Sequence, residues 1–405
     1  MKAMIVALFG LSQLSYGLEV HEWGTFTVLA DSGGTMTPWY LSYSDAFRLP
    51  EFVGRPRGGK SGASLIRMET PVLYFYPKET THISVEVTFK DGLITETFPF
   101  RKGVPSSEGS RATEALPSAL WTGTLSPPNH QPARANVPTI KGNEDAEHYG
   151  AACEVPDAWI FQTDHTLSPY SVNYDLHFPQ ADHFIFYRGS GDATLPLTSS
   201  LSSDGKAISL LPQEGAEVPF AVALEVSGDQ AAWKPLLKPP AGTRRLRGVF
   251  DESLRPLDLI EDELRAAWRT ALVDQGLTAA EAAAMVNTWA KTWFREPGVR
   301  ILTIVPRAWP DQVLPLTITP VPEKITRVFV ARIEMIPLEK SKQLAAILSD
   351  ERPPTEETLA AYRSLKLGRF YSGAATLAGD LMRTEMQSRA FRLQFSKEEN
   401  LRDTQ

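Results

Sequence analysis

His82-Ile83-Ser84-Val85-Glu86-Val87-Thr88-Phe89-Lys90-Asp91-Gly92 decides the fold class. Ile83, Val85, Val87 and Phe89 fall on one side of an extended chain; His82, Ser84, Glu86, Thr88 and Lys90 fall on the other. Strict alternation is the period of a half-buried strand, because successive side chains leave the backbone on opposite faces. Asp91-Gly92 is a two-residue turn signal, and Ile94 to Phe100 resumes the β pattern. The segment therefore predicts a hairpin.

Outward from it, Val20 to Phe100 reads β throughout. Val72-Leu73-Tyr74-Phe75-Tyr76 has the aromatic and β-branched content of a buried strand. Further strands are predicted at 183–188, 207–211, 218–226, 299–305, 314–318 and 325–335. Between them the period changes. Ile260, Leu264, Trp268 and Leu272 recur every four residues, and Gly276 closes that helix. Thr278 with Glu281 forms a capping box for a second helix, whose stripe is Ala282, Met285, Trp289 and Trp293. Thr355 caps a short helix bearing Leu359, Tyr362 and Leu365, stopped by Gly368. Residues 104–157, rich in Pro, Ser, Gly and Ala, predict a long surface loop. The expected architecture is mainly β: a β-sandwich or jelly-roll-like core over 18–338. An αα-hairpin is inserted at 258–296, and a helical C-terminal region follows at 339–405.

The 405 residues are 42% hydrophobic and 22% charged, which excludes a disordered chain. With 41 Lys+Arg against 48 Asp+Glu the net charge is −7, so no generally basic surface offers itself to nucleic acid. Lys2, the apolar run Ala3–Leu11 and the small residues of Ser15-Tyr16-Gly17 predict a secretory signal peptide over 1–17, hence a periplasmic or secreted protein. No stretch reaches the ~20 apolar residues of a membrane-spanning helix. Cys153 is the lone cysteine, so stability must come from a core that a chain of this length can supply.

Gly54-Arg55-Pro56-Arg57-Gly58-Gly59-Lys60-Ser61 fits a phosphate-binding loop by letters. A strand, not a helix, is predicted to follow it, and the site needs the helix N-terminus. A solvated loop is the better reading. Four of the seven histidines stand beside an acid: His21-Glu22, Glu147-His148, Asp164-His165 and Asp182-His183. No fixed ligand spacing joins them, and neighbours on a strand point to opposite faces. A divalent metal would therefore have to be gathered from distant segments, with His21, His148, His165 and His183 as the candidate ligands. There is no nucleophile motif around serine or cysteine. Glu22 and Glu69 are candidate acid–base carboxylates. Trp39, Tyr40 and Trp121 are candidate sugar-stacking aromatics.

His21-Glu22-Trp23-Gly24-Thr25-Phe26-Thr27 resembles the opening of a family of secreted bacterial proteins of unassigned activity. The likeness extends to Met68–Tyr76, Phe186-Tyr187-Arg188-Gly189, Thr288-Trp289 with Trp293-Phe294, and Leu367-Gly368-Arg369-Phe370. The resemblance implies export and one continuous architecture, and no reaction. It directs attention to the polar members His21, Glu22, Glu69 and Arg188. A charged residue inside an apolar strand is costly to bury unpaired, so Glu69 and Arg188 are expected either to pair or to line a pocket. Two functional readings stand. One is an extracytoplasmic hydrolase using His21, Glu22, Glu69 and Arg188, with or without a metal. The other is a non-catalytic module whose loops 31–50 and 104–157 contact a glycan or an envelope protein. Convergence of His21, Glu22 and Glu69 with a second histidine favours the first; dispersal favours the second.

Overall fold

The computed structural model describes residues 17–40, 53, 55–56, 62–103, 112–113, 115–130, 149–166, 178–238, 244–250, 253–350 and 352–379. Most of the expected signal segment, most of Gly54–Ser61, and His148 lie outside the described residues.

The principal strands are β1 (Glu19–Asp31), β2 (Ile66–Tyr76), β3 (Thr81–Thr88), β4 (Gly92–Phe98), β5 (Ser118–Ser126), β6 (Ile160–Thr163), β7 (Ile185–Gly191) and β8 (Leu197–Leu201). They continue as β9 (Ala207–Pro212), β10 (Ala221–Ser227), β11 (Gln230–Pro235), β12 (Leu246–Val249), β13 (Gly298–Ile304), β14 (Leu316–Thr319) and β15 (Lys324–Ile336). The large sheet runs β11-β10-β13-β15-β1-β2-β7-β4. A second sheet runs β6-β5-β3-β14, and a third β8-β9-β12. At the centre of the large sheet β1 and β15 pair in parallel along their full length, from Glu19 opposite Lys324 to Asp31 opposite Ile336. Both strands are buried on both faces, the usual setting of a parallel pair.

One face of the large sheet presents Val20, Phe26, Val28, Leu73, Phe75 and Tyr187. It packs against Ile83, Val85, Val87 and Trp121 of the second sheet and Ile208 and Leu210 of the third. This is the sandwich the alternating strands predict. The opposite face presents Trp23, Val72, Tyr74, Leu302 and Val330 to the helical hairpin α1 (Leu257–Asp274) and α2 (Ala279–Ala290). Trp268, Trp289 and Trp293 are buried there, as their spacing requires. Leu29, Trp39 and Ile336 at one end of the sheet meet the C-terminal helices α3 (Leu338–Ser349), α4 (Glu356–Ser364) and α5 (Tyr371–Gly379).

Two expectations change. Strands β3 and β4 do not form a hairpin: β3 pairs with β5 and β14, whereas β4 pairs with β7 in the large sheet. Asp91-Gly92 is therefore a corner between layers. Glycine suits it because a Cβ on Gly92 would stand 2.6 Å from the Ser190 carbonyl oxygen. The long loop over 104–157 also contains β5, an inner strand that buries Ala119, Trp121 and Leu125. Its two-residue alternation is short and sits among prolines, so composition concealed it.

Candidate functional site

The polar residues singled out in the sequence are buried, and the sheet distributes them among separate networks. The adjacent His21 and Glu22 of β1 point to opposite faces of the large sheet. His21 faces the helical hairpin. Its Nδ1 donates to the Glu281 carboxylate, 2.9 Å from Oε2 and 3.0 Å from Oε1. Tyr76 Oη donates to Glu281 Oε1 at 2.7 Å, and the Thr278 backbone N–H donates to Oε2 at 2.7 Å. The capping-box carboxylate thus does more than cap. Buried at the start of α2, it ties the hairpin to β1 and β2. A buried carboxylate needs such donors to offset its lost hydration.

Glu22 faces the sandwich. It accepts from Tyr187 Oη and from Arg327 Nε, and Arg327 Nη1 also donates to Asp311 Oδ1 at 2.8 Å. Burial raises the Tyr187 hydroxyl well above its ordinary pKa, and the Glu22 charge adds to that. Tyr187 is therefore a proton donor to Glu22 at all working pH values.

Glu69 lies on the hairpin face near the C-terminal helices. Its partner is Arg369, with Nη1 to Oε1 at 2.6 Å and Nη2 to Oε2 at 3.3 Å; Thr27 Oγ1 donates to Oε2 at 2.7 Å. Burial alone would raise this carboxyl, but the Arg369 guanidinium and the Thr27 hydroxyl hold it down at about 2. Arg188 donates to Thr70 Oγ1 at 3.4 Å, and its charge adds to that of Arg369 in holding the Glu69 carboxyl down. Thr70 has φ +50°, a left-handed conformation rare for a β-branched residue. It sits where β1 and β7 both shift register against β2.

Beside this group Arg300 and Arg332 are fully buried, and they close the helical hairpin. The chain after α2 forms one π-helical turn, Lys291–Arg295, which leaves carbonyl groups without helix partners. Arg332 Nη1 donates to the Thr292 carbonyl at 2.8 Å and Arg300 Nη1 to that of Trp293 at 3.0 Å. Glu334 and Glu296 balance the two cations, each within 2.8 Å of Arg332 Nη2. None of Glu281, Arg300, Arg327, Arg332 and Arg369 was legible as part of a site. The available signal was a charged residue at an inward position of an apolar strand, as at Arg300 and Arg332.

The candidate metal ligands among the described residues, His21, His165 and His183, do not gather into a metal-holding group. His165 Nε2 donates to the Phe100 carbonyl at 3.0 Å, and His183 Nδ1 to that of Ala158 at 3.0 Å. His165 and the exposed His82 flank Asp164, at 3.2 and 3.3 Å. Among the described residues no three His, Cys, Asp or Glu side chains gather to hold a metal. Trp39 and Trp121, expected as stacking platforms, are fully buried. Trp39 instead lies under Arg67 and Arg369, and Trp121 donates to the Pro99 carbonyl at 2.7 Å. Tyr40 is half-buried, its hydroxyl 2.6 Å from that of Tyr371. Cys153 is half-buried and its thiol is pushed up by burial and by nearby Asp182 and Glu154, which keeps it protonated and unreactive. Burial raises the Asp182 carboxyl to about 6, even though Tyr149 Oη and the His183 backbone N–H donate to it.

The chain matches no family model and no curated protein sequence. No helix among the described residues is long and apolar enough to cross a membrane.

Proposed function

We propose that the chain is an exported, non-catalytic binding module of the cell surface or envelope, with a glycan or an envelope protein as its partner. One observation carries the choice against a hydrolase. His21, Glu22 and Glu69, the groups an acid–base mechanism would use, occupy three separate buried networks. His21 and Glu22 lie on opposite faces of one sheet, and each carboxylate already accepts from two or more donors. His21 and Glu281 do reproduce the pairing of a base with its orienting acid. The free nitrogen of that pair, however, is enclosed, and among the described residues no serine, threonine or cysteine hydroxyl or thiol donates to it. Export rests on the pattern of residues 1–17.

The test incubates the mature chain, residues 18–405, with isolated cell-wall and envelope fractions. Saturable co-sedimentation without release of reducing sugar or peptide is expected, and folded Glu22→Gln protein should co-sediment as the parent does. Release of product that His21→Ala abolishes in a folded protein would overturn the proposal, as would the absence of any co-sedimentation.

A further inference from the structure

The chain from Tyr149 to Ala158 lies on the hairpin face of the large sheet. Among the described residues no backbone hydrogen bond joins Gly150–Ala158 to another segment; the Ala152, Glu154 and Ala158 amides bond within it, to the carbonyls of Tyr149, Ala151 and Val155. Side chains make the outside ties. Tyr149 Oη donates to Asp182 Oδ2, and Tyr74 Oη to the Ala152 carbonyl at 2.8 Å. Asn287 Nδ2 donates to Glu154 Oε2 at 3.4 Å, and His183 Nδ1 to the Ala158 carbonyl at 3.0 Å. Apolar packing adds to them, with the Tyr149 ring 5.0 Å from that of Phe184 and 5.6 Å from that of Phe186. The tie to Asp182 is the one that protons can alter. Asp182 is 5% exposed, and its carboxylate accepts from two neutral donors, Tyr149 Oη and the His183 backbone N–H. A buried carboxylate is ordinarily paired with a cation, yet no Lys or Arg bonds this one among the described residues. The titratable groups that face it are Tyr149 and Cys153 of the segment, Tyr74 of β2 and its neighbour His183, of which only His183 is a base. Glu154 stands beyond Cys153 and Glu281 beyond Tyr74, so both add negative charge.

We propose that Asp182 and Tyr149 form a pH-sensitive latch on this segment: the neutral acid keeps it closed on the sheet, and the ionised acid lets it open and uncover Phe184 and Phe186. Opening carries Tyr149 away and admits water to Asp182, so the carboxylate regains the hydration that the closed segment denies it. Closed, the carboxyl titrates at about 6; solvated, it returns to its ordinary 3.8. The closed state therefore binds the proton more tightly. Opening is least favourable below 3.8, becomes easier as pH rises, and levels off above about 6, a gain of roughly a hundredfold overall. A segment tied down by side chains, with neither sheet nor long helix pairing of its own, is of the kind that opens locally. The latch goes beyond the binding function proposed above and does not depend on it.

Hydrogen exchange read by mass spectrometry on the mature chain tests it, with each rate divided by the intrinsic rate of the unfolded amide at that pH. Protection across Gly150–Ala158 should fall on the order of fiftyfold between pH 4 and pH 7, and at each pH it should stay below that of α1. Asp182→Asn keeps the shape, the Tyr149 bond and His183, and its protection should not change with pH. A fall in the parent of less than about threefold would overturn the proposal, and this holds whether or not the variant folds. A fall that Asp182→Asn shares would also overturn it, by assigning the effect to His183. Protection equal to that of α1 would do the same, because the segment would then open only when the whole protein unfolds.

Discussion

Glu69→Gln tests the physical reading of the buried charges most fully. The native carboxyl is held at about 2 against an ordinary 4.5. At about 1.36 kcal/mol per tenfold change in proton affinity this corresponds to on the order of 3 kcal/mol of stability at neutral pH. The sign follows from proton uptake. The unfolded chain binds the proton more tightly, so stability is fully present above 4.5 and is lost as pH falls through 2. At pH 3 only on the order of 1 kcal/mol remains. Glutamine keeps the shape but removes the carboxylate that Arg369 bonds directly, leaving Glu296 at 3.9 Å, and breaking a buried pair costs about 3–5 kcal/mol. Denaturant unfolding at pH 7 should therefore show a loss of about 3 kcal/mol, shrinking by about 2 kcal/mol at pH 3. Other titrating groups cancel in the difference between parent and variant. A loss below about 1 kcal/mol at pH 7, or one that does not change with pH, would mean that the Glu69–Arg369 pair contributes no more than an exposed one.

Trp289 is buried between the helical hairpin and the sheet, so Trp289→Ala should cost about 3–5 kcal/mol in denaturant unfolding; under about 1 kcal/mol would place the aromatic stripe outside the core. Asp182 has the opposite sign from Glu69. Its raised carboxyl binds the proton more tightly in the folded state, so stability falls as pH rises from 3.8 to about 6. Asp182→Asn should remove that slope and stabilise the protein at pH 7 by up to about 3 kcal/mol, measured as unfolding against pH. Terminal sequencing of protein from its native host should begin at or near Leu18; a chain that retains Met1 would contradict export.

The sequence made the layers legible and left the connections between them hidden. The four-residue spacing of Ile260, Leu264 and Trp268, and the Thr278–Glu281 capping box, are local signals, and the structure repeats them. Which strands pair is a long-range property. Strand β3 alternates cleanly, yet its neighbours β5 and β14 lie far along the chain, and Asp91-Gly92 serves a corner as readily as a hairpin. The polar residues show the same division. His21, Glu22 and Glu69 were conspicuous as charge within apolar strands, but their partners Glu281, Arg327 and Arg369 are 260 or more residues distant. Adjacency in sequence also misled: on a strand, His21 and Glu22 are side by side and face different cores.

The conspicuous polar residues His21, Glu22 and Glu69 belong to separate structural networks. Double-mutant cycles in denaturant unfolding test that separation most directly. Glu22→Gln with Arg327→Met should show a coupling of about 1–3 kcal/mol, because the two side chains bond directly. Glu22→Gln with Glu69→Gln should be additive within about 0.5 kcal/mol. Coupling above about 1 kcal/mol between Glu22 and Glu69 would instead place them in one shared site.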